Sequence, residues 1–137
     1  MGASKRFSAR LKPGSDPGDV LIAAQAAVAN FAAGAGLAQA ATARLSVMVE
    51  EVLSNALRHG KAQKVRLHLR SVAGGIALTF EDDGAPFDPT RKRAFKGPDP
   101  QTGGGVGLAL LNAWGHKPCY ARIDGSNRLR VALRSER

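Results

Sequence analysis

Two runs of strictly alternating apolar and polar residues, KVRLHLR from position 64 and GIALTFE from position 75, are joined through SVAGG. They read as an antiparallel hairpin. The alternation puts Val65, Leu67 and Leu69 with Ile76, Leu78 and Phe80 on one face and leaves the other face polar. A one-sided sheet of this kind must be covered by helices on its apolar side only, which points to an α+β two-layer sandwich. The flanking sequence supplies both layers. RFSARL reads as a first strand and KPGSDPGD breaks it. A helix from Val20 to Ala33 follows, with Asp16 or Asp19 as cap and Pro17 suited to a first turn. A second helix is expected from Ala40 to Arg58, closed by His59 and Gly60. On its wheel Leu45, Val49, Val52, Leu53 and Ala56 gather on one side, and Arg44, Glu51, Asn55 and Arg58 on the other. TGGGVGLALLNAW reads as a glycine-rich loop entering a third helix. CYARID and RLRVALR around GSN read as a closing hairpin. Residues 90–102 carry no period and are expected to be a mobile connection. The sheet is expected to be mixed and mostly antiparallel, with about three helices on one face.

A chain of 137 residues is the size of one domain, and no repeat or linker divides 1–137. The single cysteine, Cys119, excludes an internal disulfide, and no signal-peptide pattern opens the chain, so a cytoplasmic protein is expected. The longest apolar tract contains Gln25, Asn30, Gly34 and Gly36, which argues against a membrane span. The net charge of +9 would suit a nucleic-acid binder, but the basic residues are spread over four segments without zinc-finger spacing or an aromatic strand motif. They read as solvated faces, and no direct nucleic-acid contact is expected. The acids are concentrated instead: of eleven, Glu50, Glu51, Glu81, Asp82, Asp83 and Asp88 fall in two short segments.

Three motifs follow in order. In EEVLSNALRHG, Glu51 and Asn55 stand four residues apart and share a helix face. Asn inside a helix has poor propensity, which is better explained if its amide is used elsewhere. In FEDDGAPFDP, Asp82 at a strand end is placed to accept from an exocyclic amine, Gly84 leaves room for a flat ring, and Phe87 could cover that ring. In GGGVGLALL, the glycines before a helix can turn backbone N–H groups toward phosphate oxygens, although the loop lacks a Walker-type lysine.

The order of these motifs resembles the N, G1 and G2 boxes of the GHKL (histidine kinase-like) ATPase superfamily. The DDGAPFDP form and the ending GLALLNAW…YARIDGSNRLRVAL look most like its anti-sigma-factor serine/threonine kinases. The resemblance spans nearly the whole chain. It implies ATP and Mg²⁺ as cofactors, with Asn55 at the metal and Glu51 as general base. It implies Asp82, Gly84 and Phe87 at the adenine, and Gly103, Gly105, Gly107 and Leu108 along the phosphates, with His59 near them. It further implies an anti-anti-sigma protein as phosphorylated partner, a sigma factor as bound partner, and a homodimer. A nucleotide-gated adaptor without phosphotransfer and a free-standing histidine-kinase-type catalytic domain are the alternatives.

Overall fold

A computed structural model describes residues 2–91 and 105–134. Five strands, β1 (Ser4–Arg10), β2 (Lys64–Val72), β3 (Gly75–Asp82), β4 (Gly115–Ile123) and β5 (Ser126–Arg134), form one sheet in the order β1-β2-β3-β5-β4. Every pairing is antiparallel. Three helices, α1 (Pro17–Ala35), α2 (Gln39–Ser54) and α3 (Val106–Trp114), complete the α+β fold.

Register explains the core. Leu67, Phe80 and Leu129 lie side by side across β2, β3 and β5, and Leu69, Leu78 and Val131 form the next row. All six are at most 4% exposed. Leu45, Met48, Val49 and Leu53 of α2 meet these rows, and Leu21, Val28 and Phe31 of α1 extend the same cluster. Full burial of one such side chain stabilises by about 1.5–3 kcal/mol. Asp16 is the cap of α1, its Oδ1 accepting from the Gly18 N–H at 2.9 Å, with Pro17 at the first position. By length and mean hydropathy α1 would also pass as a membrane span, but its inner face belongs to the core of this sandwich.

The second helix differs from its expected course. It leaves α-helical geometry at Ser54, and Asn55–His59 form a π-helical turn. There the Gly60 N–H donates to the Asn55 carbonyl at 2.8 Å, and the Ala62 N–H to the Ala56 carbonyl at 2.9 Å. Each bond reaches further along the chain than an α-helical one. The wider turn rotates the following residues, so Leu57, 3% exposed, enters the core and Ala56 stays half-buried. Such turns cluster at functional sites. Arg44 also departs from the solvated face expected of it, because its guanidinium sits 5.3 Å from the centroid of the Trp114 ring. The closing hairpin starts earlier than expected, at Gly115, with an irregularity between His116 and Cys119. Pro118 is tolerated there because β4 is an edge strand. Apart from Thr90 and Arg91, the connection 90–102 lies outside the described residues.

Candidate functional site

The apolar rows of the sheet end in polar residues. Asp82 follows Ile76, Leu78 and Phe80 on the helix-facing side of β3, and Asn127 precedes Leu129, Val131 and Leu133 on that side of β5. The two are cross-strand partners. Asp82 Oδ1 accepts from the Gly84 N–H at 2.9 Å and from Asn127 Nδ2 at 3.0 Å. Among the described residues nothing donates to its other oxygen.

Asn127 is the buried hub of this end, at 6% exposure. Its Nδ2 also donates to the Ala85 carbonyl at 2.9 Å, while its Oδ1 accepts from the Tyr120 hydroxyl at 2.5 Å and the Phe87 N–H at 3.4 Å. Both donors and both acceptor positions of the amide are therefore used. The loop after β3 is held from two further sides: Arg122 Nη1 donates to the Gly84 carbonyl at 2.6 Å, and the Ala85 N–H to the Gly60 carbonyl at 2.9 Å. A Cβ on Gly84 would stand 2.9 Å from that Gly60 oxygen and 3.0 Å from Asp82 Oδ1, so only glycine lets the loop lie this close. Asp83 serves a different purpose. Its Oδ1 accepts from the N–H groups of Gln63 and Lys64 at 2.8 and 2.9 Å and fixes the start of β2. Desolvation pushes its pKa up, but these backbone donors and the nearby Lys64 outweigh it and hold the carboxyl below its ordinary range.

On the helical side, Glu51, Asn55, Arg58 and His59 line a cavity of about 950 Å³ with Gly105, Gly107 and Leu108. Gly105 has a left-handed backbone, φ 95°, and caps α3. Its N–H donates to Glu51 Oε1 at 2.5 Å. Gly107 is buried, and a Cβ there would fall 2.2 Å from Glu51 Cβ, so its bare backbone is what lets α3 close onto α2. A second, narrow pocket of about 30 Å³ lies between Asp82, Asn127, Tyr120 and Phe80. Asn55, Gly60, Ala85 and Phe87 line both spaces, so the cavities adjoin. Of the residues singled out from the sequence, Glu51, Asn55, His59, Asp82, Gly84, Phe87, Gly105, Gly107 and Leu108 gather here; Gly103 lies outside the described residues. Ser54, Arg58, Tyr120 and Asn127 join them without having been singled out. Asn127 had a readable signal, since it shares the parity of three core-facing residues on its strand.

A family model described as a histidine kinase-like ATPase domain matches residues 15–133. The chain belongs to the histidine kinase-like ATPase family. It is also 31% identical over 98 residues to the serine/threonine-protein kinase BtrW of Bordetella bronchiseptica, an alignment covering 66% of this chain and 69% of that protein. The family expected from the three motifs and the α+β fold are both borne out. As a family member the chain is an ATP-binding, kinase-like domain.

Proposed function

We propose that this domain is a cytoplasmic anti-sigma kinase, which transfers the γ-phosphoryl group of ATP to a serine or threonine of an anti-anti-sigma protein and holds a sigma factor. The observation that carries this reading is the meeting of Glu51, Asn55 and the Gly105 amide in one cavity whose neighbour ends at Asp82. The serine/threonine-protein kinase named above supports it.

In this reading the free oxygen of Asp82 accepts from the adenine amino group, while Asn127 and Gly84 hold the carboxylate in place. The narrow pocket is too small for a purine ring as it stands, so Phe87, half-buried on the shared wall, turns aside to admit it. The amides at the start of α3 and the Arg58 guanidinium face the phosphates, where donors and a helix N-terminus favour anions. Mg²⁺, when bound with the phosphates, offsets their charge, and Asn55 is the residue that would hold it. An ion of this kind keeps waters and phosphate oxygens as its other ligands.

Phosphates that capture the Gly105 N–H release Glu51 from that bond. The carboxylate then takes the proton of the partner's hydroxyl as its oxygen attacks the γ-phosphorus and the bond to the ADP oxygen breaks. The test is to capture the partner from native cytoplasm and incubate it with γ-labelled ATP. Label on serine or threonine is expected. Label on histidine, or capture without label, would overturn the proposal.

A further inference from the structure

We propose that the outer face of the sheet is a docking surface for the phosphate backbone of duplex DNA, separate from the nucleotide site. All three helices and the buried rows lie on one side of the sheet, so the opposite side is covered by nothing among the described residues. The basic residues that are scattered along the sequence converge there through period two: Arg6 and Arg10 from β1, Arg66 and Arg70 from β2, Arg128 and Arg130 from β5. The register sets them in rows. Arg66 and Arg128 flank Glu81, Arg6 and Arg130 lie at either end of a row through His68 and Thr79, and Arg70 shares a row with Ala77 and Ala132.

Two ridges of arginine therefore stand on either side of β3, whose outward residues are Ala77, Thr79 and Glu81. Strand spacing puts the β2 and β5 ridges about 10 Å apart, with about 6.8 Å between Arg128 and Arg130 along β5 and about 14 Å between Arg66 and Arg70 along β2. Glu81 is the only carboxylate among the described outward-facing strand residues, and it reaches just one arginine, Arg128, at 3.9 Å. His68, in the middle, reports the same field: burial first, then Arg6 and Arg70, push its pKa below the ordinary value.

The chemistry of the face selects its partner. Between the arginines stand Ser8, Thr79, Ala77 and Ala132, and the exposed aliphatics Val72 and Ile123 are next to hairpin turns at the rim. A protein interface draws on a desolvated apolar centre, which is missing here. A polyphosphate needs none, because affinity comes from counterion release. Arginine's planar fork suits phosphate oxygens. Among the described residues no Phe, Tyr or Trp stands on the face and His68 offers the one ring in its middle, so successive unpaired bases find no stacking platform, and binding is expected to be indifferent to sequence. B-form DNA offers one charge per about 1.7 Å of axis. A second copy of the chain would set the same positive face against this one. Asp82 points to the helix side, so DNA and nucleotide do not compete.

The test is fluorescence anisotropy with a labelled mixed-sequence DNA duplex over a salt series. Contact with about four to five phosphates gives a slope of log K against log salt of about −4. Arg70→Gln with Arg130→Gln should lower the steepness by about 2 and weaken binding by about 10-fold or more, with ATP affinity unchanged. Arg6→Gln with Arg66→Gln is the second pair, with the same expectation should the first fail to fold. Lys5→Gln with Lys61→Gln removes equal charge away from the face and should change the slope little. The proposal is overturned if the duplex does not bind, or if the control pair loses as much as the arginine pairs. Tighter binding to phosphatidylserine vesicles or to an RNA duplex at the same salt would also overturn it, as would a dimer that the arginine pairs disrupt.

Discussion

Replacing Gly107 by alanine isolates the contact that brings the glycine loop to Glu51. The new Cβ would lie 2.2 Å from Glu51 Cβ, 2.8 Å from Glu51 Cγ and 2.9 Å from the Val47 carbonyl oxygen. Carbon atoms pack best at about 3.5–4.0 Å, so α3 must retreat from α2 by roughly 1.5 Å. Overpacking of this kind costs about 1–3 kcal/mol, and alanine's better helix propensity returns about 0.5–1 kcal/mol. The net expectation is about 1–2 kcal/mol of lost stability, a fall in Tm of about 4–8 °C for a chain of this size. Gly34 supplies the internal comparison. It also lies in a helix, but its added Cβ would meet only Ala3 Cβ at 3.9 Å, an ordinary contact. Gly34→Ala should therefore raise stability by about 0.5–1 kcal/mol. Thermal and urea unfolding of the two variants beside the parent give the answer. If Gly107→Ala melts at or above the parent temperature, the close approach of α3 to Glu51 is not what holds the loop.

Asp82→Asn exchanges an acceptor-only carboxylate for an amide and should weaken ATP binding by about 10- to 100-fold, the range for a hydrogen bond to a charged group of about 1.5–3 kcal/mol; unchanged affinity by calorimetry would remove Asp82 from the base pocket. Asn127→Ala removes the amide that bonds Asp82, the Ala85 carbonyl and the Tyr120 hydroxyl. It should cost about 1–3 kcal/mol in urea unfolding, and ATP affinity should fall with it. His68 is held below its ordinary pKa of 6.5, so below that pH the unfolded chain binds more protons than the folded one. Stability should be full above pH 6.5 and decline as the pH drops through the lowered folded value, and His68→Gln should flatten that decline.

The apolar alternation of residues 64–81 was enough to fix the hairpin, the inward face and the side that helices must cover, because period two is a property of the strand itself. Which of two adjacent aspartates ends the helix-facing side of the strand was legible for the same reason: Asp82 continues the parity of Phe80, whereas Asp83 turns away to the amides of β2. Asn127 follows from that rule as well, although GSN by itself reads as a turn. The π-helical turn at Asn55 left no trace in a 3.6-residue wheel, since a local widening shifts only the residues after it and exchanges Ala56 for Leu57 in the core. The arginine face was hidden for a different reason. Its members come from segments as distant as residues 6 and 130, and only the strand order β1-β2-β3-β5 makes them neighbours.

Glu51→Gln gives the most direct measure of whether this site transfers phosphate. The substitution keeps shape and helix, retains an oxygen that can accept from the Gly105 N–H, and removes only the proton-accepting charge. With the captured partner and γ-labelled ATP, transfer to serine or threonine should fall by about 100-fold or more, while ATP affinity and partner binding stay close to the parent values. Transfer at the parent rate would contradict Glu51 as the base, and a parent protein that captures its partner yet transfers nothing would contradict the kinase itself.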